Sequence, residues 1–176
     1  MNKHLSIREM VLFAFFGALM FTSKQILEFL PNVHMLGMFT MLFAIVYRSK
    51  GIIPVIVFIL LEGAYTGFGI WWIPYWYLWP ILFLVALALP RKMPPKIAVP
   101  VYMIVCALHG LCYGTLYAPF QAIAFGLSLK GTLAWIASGF PWDCVHAAGN
   151  FCFGALVYPL SRLLLKLENS ANNGYY

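Results

Sequence analysis

The sequence predicts an all-α fold of the polytopic membrane class with six transmembrane helices, and three observations predict it. The composition is 63% hydrophobic and only 9% charged over 176 residues, where soluble domains run about 45–50% apolar and about 25% charged. The apolar residues come in long runs, and the few basic residues gather in small knots between them. The length closes the count: six helices of about 20 residues use roughly 120, which leaves loops and ends but no soluble domain. A soluble enzyme does not fit this composition. Neither does an ATP motor encoded in the chain, because no G-x-x-x-x-G-K-[ST] phosphate loop occurs.

The first run covers residues 9–30 and closes at Pro31-Asn32. The second, 33–47, ends at Tyr47-Arg48-Ser49-Lys50, and the third, 51–69, runs into Gly67-Phe68-Gly69. The fourth, 75–90, is fenced by Trp71-Trp72-Ile73-Pro74 and by Pro90-Arg91-Lys92. The fifth starts after Lys96 and passes Pro119; the sixth starts near Gly131, passes Pro141 and ends around Arg162–Lys166. Runs two and four are only about 22–24 Å long at 1.5 Å per residue. That falls short of about 30 Å of hydrocarbon, so neighbours or a re-entrant loop must complete them. Runs five and six exceed one span, and a kink is expected at each proline. The chain reads as one domain, 1–168, with a frayed polar tail at 169–176 and no internal repeat.

Six spans put both termini on one side, and the 11 basic residues can then be sorted. Lys3, Arg8, Arg48, Lys50, Arg91, Lys92, Lys96, Arg162 and Lys166 fall on the side of the termini, and only Lys24 and Lys130 on the other. The positive-inside rule makes the richer side cytoplasmic. The net charge of +6 is therefore a topology signal, and no nucleic-acid partner is implied, since that would need one basic patch in polar surroundings. No cleavage site follows the first run, so a removed signal peptide is not expected. The four cysteines, Cys106, Cys112, Cys144 and Cys152, form no C-x-x-C and read as buried small apolar residues. No metal site and no cofactor are read.

Charges inside a bilayer cost about 2.5–3.5 kcal/mol on insertion scales, so the acids carry information. Glu9 and Glu168 lie at one set of helix ends and Glu28 at the other, which leaves Glu62 and Asp143 within spans. Neither has a Lys or Arg nearby in sequence, and both read as polar anchors for a ligand. Asp143, His146 and Asn150 are spaced i, i+3, i+7 and share one helix face. His109 on span five can join that stripe. Interfacial belts account for Trp71 and Trp72, but Tyr75, Trp76 and Trp79 continue into span four and can form a stacking wall, with Trp135 and Trp142 adding surface on span six. Ala14-x-x-x-Ala18 with Gly17 on span one, and Gly110-x-x-x-Gly114 on span five, are small-residue stripes that let helices approach closely.

Over all six spans the chain resembles a substrate-binding S component of an energy-coupling factor (ECF) vitamin transporter. The likeness rests on size, the short second span, Ala14/Ala18, Leu61-Glu62-Gly63 with Gly67-Phe68-Gly69-Ile70-Trp71-Trp72, and Pro141-Trp142-Asp143 with His146 and Gly149-Asn150. It implies a six-helix bundle in the bacterial cytoplasmic membrane, both termini cytoplasmic, with a shared transmembrane coupling subunit and two ATPase subunits as partners. It implies docking through helix one, hence Ala14, Gly17 and Ala18. It implies a pocket at the outer ends of helices four to six, here Tyr75, Trp76, Trp79, His109, Trp142, Asp143, His146 and Asn150 with Glu62, capped by the loop holding Asn32 and His34. The full ligand pattern of the thiamine- or riboflavin-type members is absent. Aromatic walls with acids favour a flat nitrogen heterocycle of pyridoxine or pyrimidine type; a corrinoid, with His146 or Cys144 near cobalt, ranks below it. An intramembrane enzyme using Glu62, Asp143 and His146 is the competing reading, although no H-E-x-x-H occurs, and a channel would need polar stripes on several helices.

Overall fold

The computed structural model describes residues 5–173, and every regular element among them is helical. The helices are α1 (Ile7–Ile26), α2 (Leu36–Tyr47), α3 (Ile52–Thr66), α4 (Tyr75–Ala88), α5 (Pro95–Leu111), α6 (Tyr113–Phe125), α7 (Leu129–Gly154) and α8 (Val157–Asn173). Short 3-10 turns occupy Arg48–Gly51 and Ile70–Trp72. Local chemistry starts several of them. Ser6 and Glu9 form a reciprocal capping box on α1, which satisfies two otherwise free N–H groups. Ser128 caps α7 by accepting from the Gly131 N–H. Gly126, at φ +63°, ends α6 in the left-handed conformation that glycine adopts without strain.

By length and composition four helical stretches can cross a membrane: Ile7–Ile26, Leu36–Thr66, Ile70–Ala88 and Pro95–Phe125. Leu129–Gly154 and Val157–Ala171, bent by 43°, make a fifth if taken together. The chain is thus an all-helical, membrane-embedded protein. The stretch Leu36–Thr66 does not run straight. Arg48 takes φ +53°, and a Cβ on Gly51 would collide with the backbone carbonyl of Phe43, so the chain doubles back there. Ion pairs give the same direction: Lys50 meets Glu9 at the start of α1, while Lys24 near its end meets Glu62 of α3. α1 and α3 therefore run parallel, with α2 antiparallel between them in sequence. The charged end of the bundle is completed by Arg48 on the Leu87 carbonyl of α4 and by Glu168 of α8 on Arg8 and Tyr47.

α2 explains its own shortness. Every residue from Leu36 to Ala44 is buried, and a helix that is apolar all round belongs in an interior. It packs on α4, α5, α7 and α8, around a core that includes Phe13, Met41, Phe43, Phe58, Trp79 and Cys106. The bundle's outside is also apolar: Ile7, Val11, Phe15, Leu84, Ile123 and Leu129 are all exposed. That is the surface lipid tails cover.

The breaks in the long runs do not fall at Pro119 and Pro141, both of which lie inside continuous helices. The fifth run breaks at Cys112, where Asp143 accepts from the Gly114 N–H and replaces the lost helical partner. The sixth bends at Ala155–Leu156, one turn before Pro159, whose missing N–H and ring disrupt the bond to the carbonyl four residues back. Gly110 and Gly114 press α5 and α6 onto α7: a Cβ on Gly110 would lie 3.0 Å from the Ala147 Cα.

Three expectations change. Gly17 is not on an outward docking face; it is buried against Val57 and Pro54 of α3, whereas Ala14 and Ala18 are exposed. Only Cys106 among the cysteines is buried, its Sγ 3.1 Å from Met41 Sδ, while Cys112, Cys144 and Cys152 are exposed. An apolar solvent removes the need to bury small apolar residues. The helix α8 also continues through residue 169 to Asn173, past the expected start of the tail.

A histidine-lined cavity beneath the first loop

At the end of the bundle opposite the charged cluster lies a cavity of about 220 Å³. Its cover is the chain between α1 and α2, which contributes Leu27, Glu28, Leu30, Pro31, Asn32, Val33 and His34. Asn32 sits at φ +57°, a left-handed conformation that asparagine tolerates better than most residues. It turns the chain so that His34 faces inward. The other walls are Lys24 of α1, Tyr75 of α4, Tyr113 of α6 and His146 of α7.

The rings interlock. His34 and His146 meet edge-on with centroids 4.6 Å apart, and Tyr113 meets His146 at 5.0 Å. Trp79 is fully buried one layer below, ringed by His34, Tyr75, His109 and Tyr113. Edge-to-face packing of this kind holds each ring in place. The structure therefore brings together Tyr75, Trp79, His109, His146, Asn32 and His34. Trp76 and Trp142 do not join them: both are exposed on the bundle's outside, 41% and 54%, each turned about 100° round its helix from its inward neighbour in sequence, Tyr75 or Asp143.

The polar atoms sort into satisfied and unsatisfied. Glu62, 1% exposed, is bonded to Lys24 Nζ at 2.5 Å and to Gln25 Nε2 at 3.4 Å. The expected ligand anchor is thus half of an internal ion pair, and its partner is 38 residues away. Asp143 holds the Gly114 N–H with both carboxylate oxygens, at 3.1 and 3.2 Å. Its first duty is the break between α5 and α6. In contrast, His34 Nδ1, Trp79 Nε1, His146 Nε2 and both amide atoms of Asn150 are buried with no hydrogen-bond partner in the protein. His109 Nε2 lies 3.0 Å from the Leu78 carbonyl. A carbonyl only accepts, so that nitrogen carries the proton and Nδ1 is left as a bare acceptor. Asn150 sits two turns of α7 beyond Asp143, its amide 3.1 Å from where a Gly37 Cβ would lie. It supports the cavity from below and does not line it.

Buried polar atoms without partners cost about 1–3 kcal/mol each; those of His34 and His146 belong to residues of the cavity wall, while those of Trp79, His109, Asn150 and Thr40 belong to residues that do not line it. Burial, aided by the Lys24 ammonium, pushes the His34 imidazole down to about 4, so it works as a neutral donor and acceptor. Sequence reasoning missed Lys24 and Tyr113. Tyr113 had a signal, since it lies inside Gly110-x-x-x-Gly114 and must face the α7 stripe. Lys24 had only its isolation: no other base lies between Arg8 and Arg48. No group of three His, Cys, Asp or Glu able to hold a metal occurs among the described residues. No family model matches the chain, and no curated protein or solved structure is similar to it.

Proposed function

We propose that the chain is the substrate-binding subunit of an ECF-type vitamin transporter, embedded in a bacterial cytoplasmic membrane by six spans with both termini cytoplasmic. The observation that carries the reading is the cavity beneath the α1–α2 loop, walled by Lys24, Tyr75, Tyr113 and two histidines whose ring nitrogens the protein leaves unpaired. A site of this kind is built to be completed by a small molecule. Its volume of about 220 Å³ lies below the roughly 300–1,000 Å³ of drug-sized pockets. That favours a single flat ring system of pyridoxine or pyrimidine type and disfavours a corrinoid. The loop holding Asn32 and His34 opens to admit the ligand and closes over it. The loaded protein docks through the exposed Ala14/Ala18 face on a transmembrane coupling subunit, and two separate ATPase subunits supply the energy for release.

The enzyme reading loses its chemistry to the contacts described above. Glu62 is taken up by Lys24 and Asp143 by Gly114, so neither stands free beside His146 as a proton-transfer partner. The test is a titration of the purified chain. Saturable 1:1 binding of a vitamin precursor without turnover supports the proposal, as does uptake that depends on separate ATPase subunits. Product formation or passive ion flux by the chain alone overturns it. Docking fails separately: if Ala14→Trp and Ala18→Trp leave both uptake and assembly intact, α1 is not the docking face.

A further inference from the structure

The wall of the cavity beneath the α1–α2 loop carries one base and one acid from the same stretch of chain, Lys24 and Glu28. The backbone stays coiled between them: the Leu27 N–H donates to the Ser23 carbonyl and the Glu28 N–H to the Gln25 carbonyl. Side chains four residues apart on such a coil are neighbours, about 5–6 Å between Cβ atoms, and a lysine and a glutamate at that spacing commonly pair. Here they do not. Lys24 Nζ donates to Glu62 Oε1 at 2.5 Å, and among the described residues Glu28 forms no ion pair.

Both charges therefore keep capacity for a ligand. An ammonium has three N–H donors, and Glu62 takes one of those of Lys24. The Lys24 side chain is 22% exposed and borders the cavity. Glu28 is exposed at the cavity's edge. A ligand bearing only a carboxylate gains Lys24 but meets the Glu28 charge. One bearing only an ammonium gains Glu28 but meets Lys24. A ligand bearing both meets an opposite charge at each end. Tyr75 and Tyr113 also line the cavity, and a ring that holds the two charges apart can pack on them.

We infer that the cavity takes a zwitterion: a single ring with an anionic group set on Lys24 and a cationic group, about 6 Å away across the ring, set on Glu28. This rests on the binding-subunit reading above and narrows it to a charge class. The two contacts differ in strength. Lys24 is partly withdrawn from water, where a charge-assisted hydrogen bond is strong. Glu28 stands in water, where salt screens it. The anionic end is the anchor, and the cationic end sets the preference between ligands that share that anchor.

The experiment titrates the full chain in detergent micelles with para-substituted benzenes of one size: 4-(aminomethyl)benzoate, which carries both charges, 4-methylbenzoate, 4-methylbenzylamine and neutral 4-methylbenzamide. Binding is read by saturation-transfer NMR, and any small molecule released from the purified chain is identified by mass spectrometry. At low salt the zwitterion should bind about tenfold more tightly than the cation or the neutral probe, and about threefold more tightly than the anion. Glu28→Gln or high salt should erase the advantage over the anion, and Glu28→Lys should make the anion the tighter ligand. Lys24→Gln combined with Glu62→Gln strands neither charge; it should weaken zwitterion and anion about tenfold and leave the cation unchanged. A released molecule carrying both charges supports the inference. A zwitterion that binds no tighter than the singly charged probes, a ranking that Glu28→Lys leaves unchanged, or a released molecule without charges of both signs overturns it and leaves the binding-subunit reading standing. No saturable binding by any probe, with nothing released from the chain, overturns both.

Discussion

At the end of the bundle where α1 begins, Arg8 pairs with Glu168 at 3.0 Å, Lys50 with Glu9 at 2.7 Å, and Arg48 donates to the Leu87 carbonyl. At the other end, His34, Trp79, His146 and Asn150 bury polar atoms that meet no partner. The first end ties α1, α2, α4 and α8 together through paired charges. The second holds its rings by edge contacts and leaves their polar tips buried and unpaired. Ionic ties thus gather at one end and unpaired buried polar atoms at the other, where Lys24 lines the cavity with Glu62 paired behind it.

That contrast can be broken most severely at the ion pair. Lys24→Met strands Glu62 in an apolar bundle, and such a loss costs about 3–5 kcal/mol; thermal unfolding in detergent should show a large drop in Tm. If the drop is absent, Glu62 has another partner and the ion pair does not hold α1 to α3. His146→Ala should weaken ligand binding about tenfold, or about 1.4 kcal/mol, with calorimetry as the readout. Asp143→Asn removes a charged cap and should cost about 1 kcal/mol of stability; a change confined to ligand affinity would return Asp143 to the ligand's side.

Smaller effects sharpen the comparison. Glu168→Gln loses an Arg8 pair that is 46% and 25% exposed, so the cost is under about 1 kcal/mol and shrinks in salt. The loop over the cavity should respond to pH through His34. With its pKa lowered from 6.5 to about 4, an opened loop takes up a proton across that window and the closed loop does not. Closure is therefore strongest above about 6.5 and weakens as pH falls toward 4. Lys24 and His109 add to this direction from α1 and α5. Hydrogen exchange over Asn32–Met35 should accelerate on acidification, and His34→Gln should flatten the response.

Much of the site was legible because it is periodic. Asp143, His146 and Asn150 are all buried on one face of α7, as their i, i+3, i+7 spacing requires. Tyr75 and Trp79, i and i+4, likewise meet on one face of α4. Trp76, one position from Tyr75, is turned to the outside, so the wall expected of Tyr75, Trp76 and Trp79 keeps two of its three members. The α1–α2 loop was legible from Pro31-Asn32. Kinks were misread because a proline acts on the turn before it and a carboxylate from another helix can hold a break open.

Composition and periodicity alone determined that this chain is all-helical, belongs in a membrane, and carries a polar stripe on its last long helix. Burial in lipid leaves helices as the economical way to satisfy the backbone, and that constraint acts on sequence directly. Only the tertiary structure decided which polar groups are free. Glu62 and Asp143 look alike in sequence to any ligand anchor; a lysine 38 residues away and a backbone N–H 29 residues away claim them. Satisfaction of a buried charge is a property of three-dimensional neighbours, and it left the histidines to face the cavity.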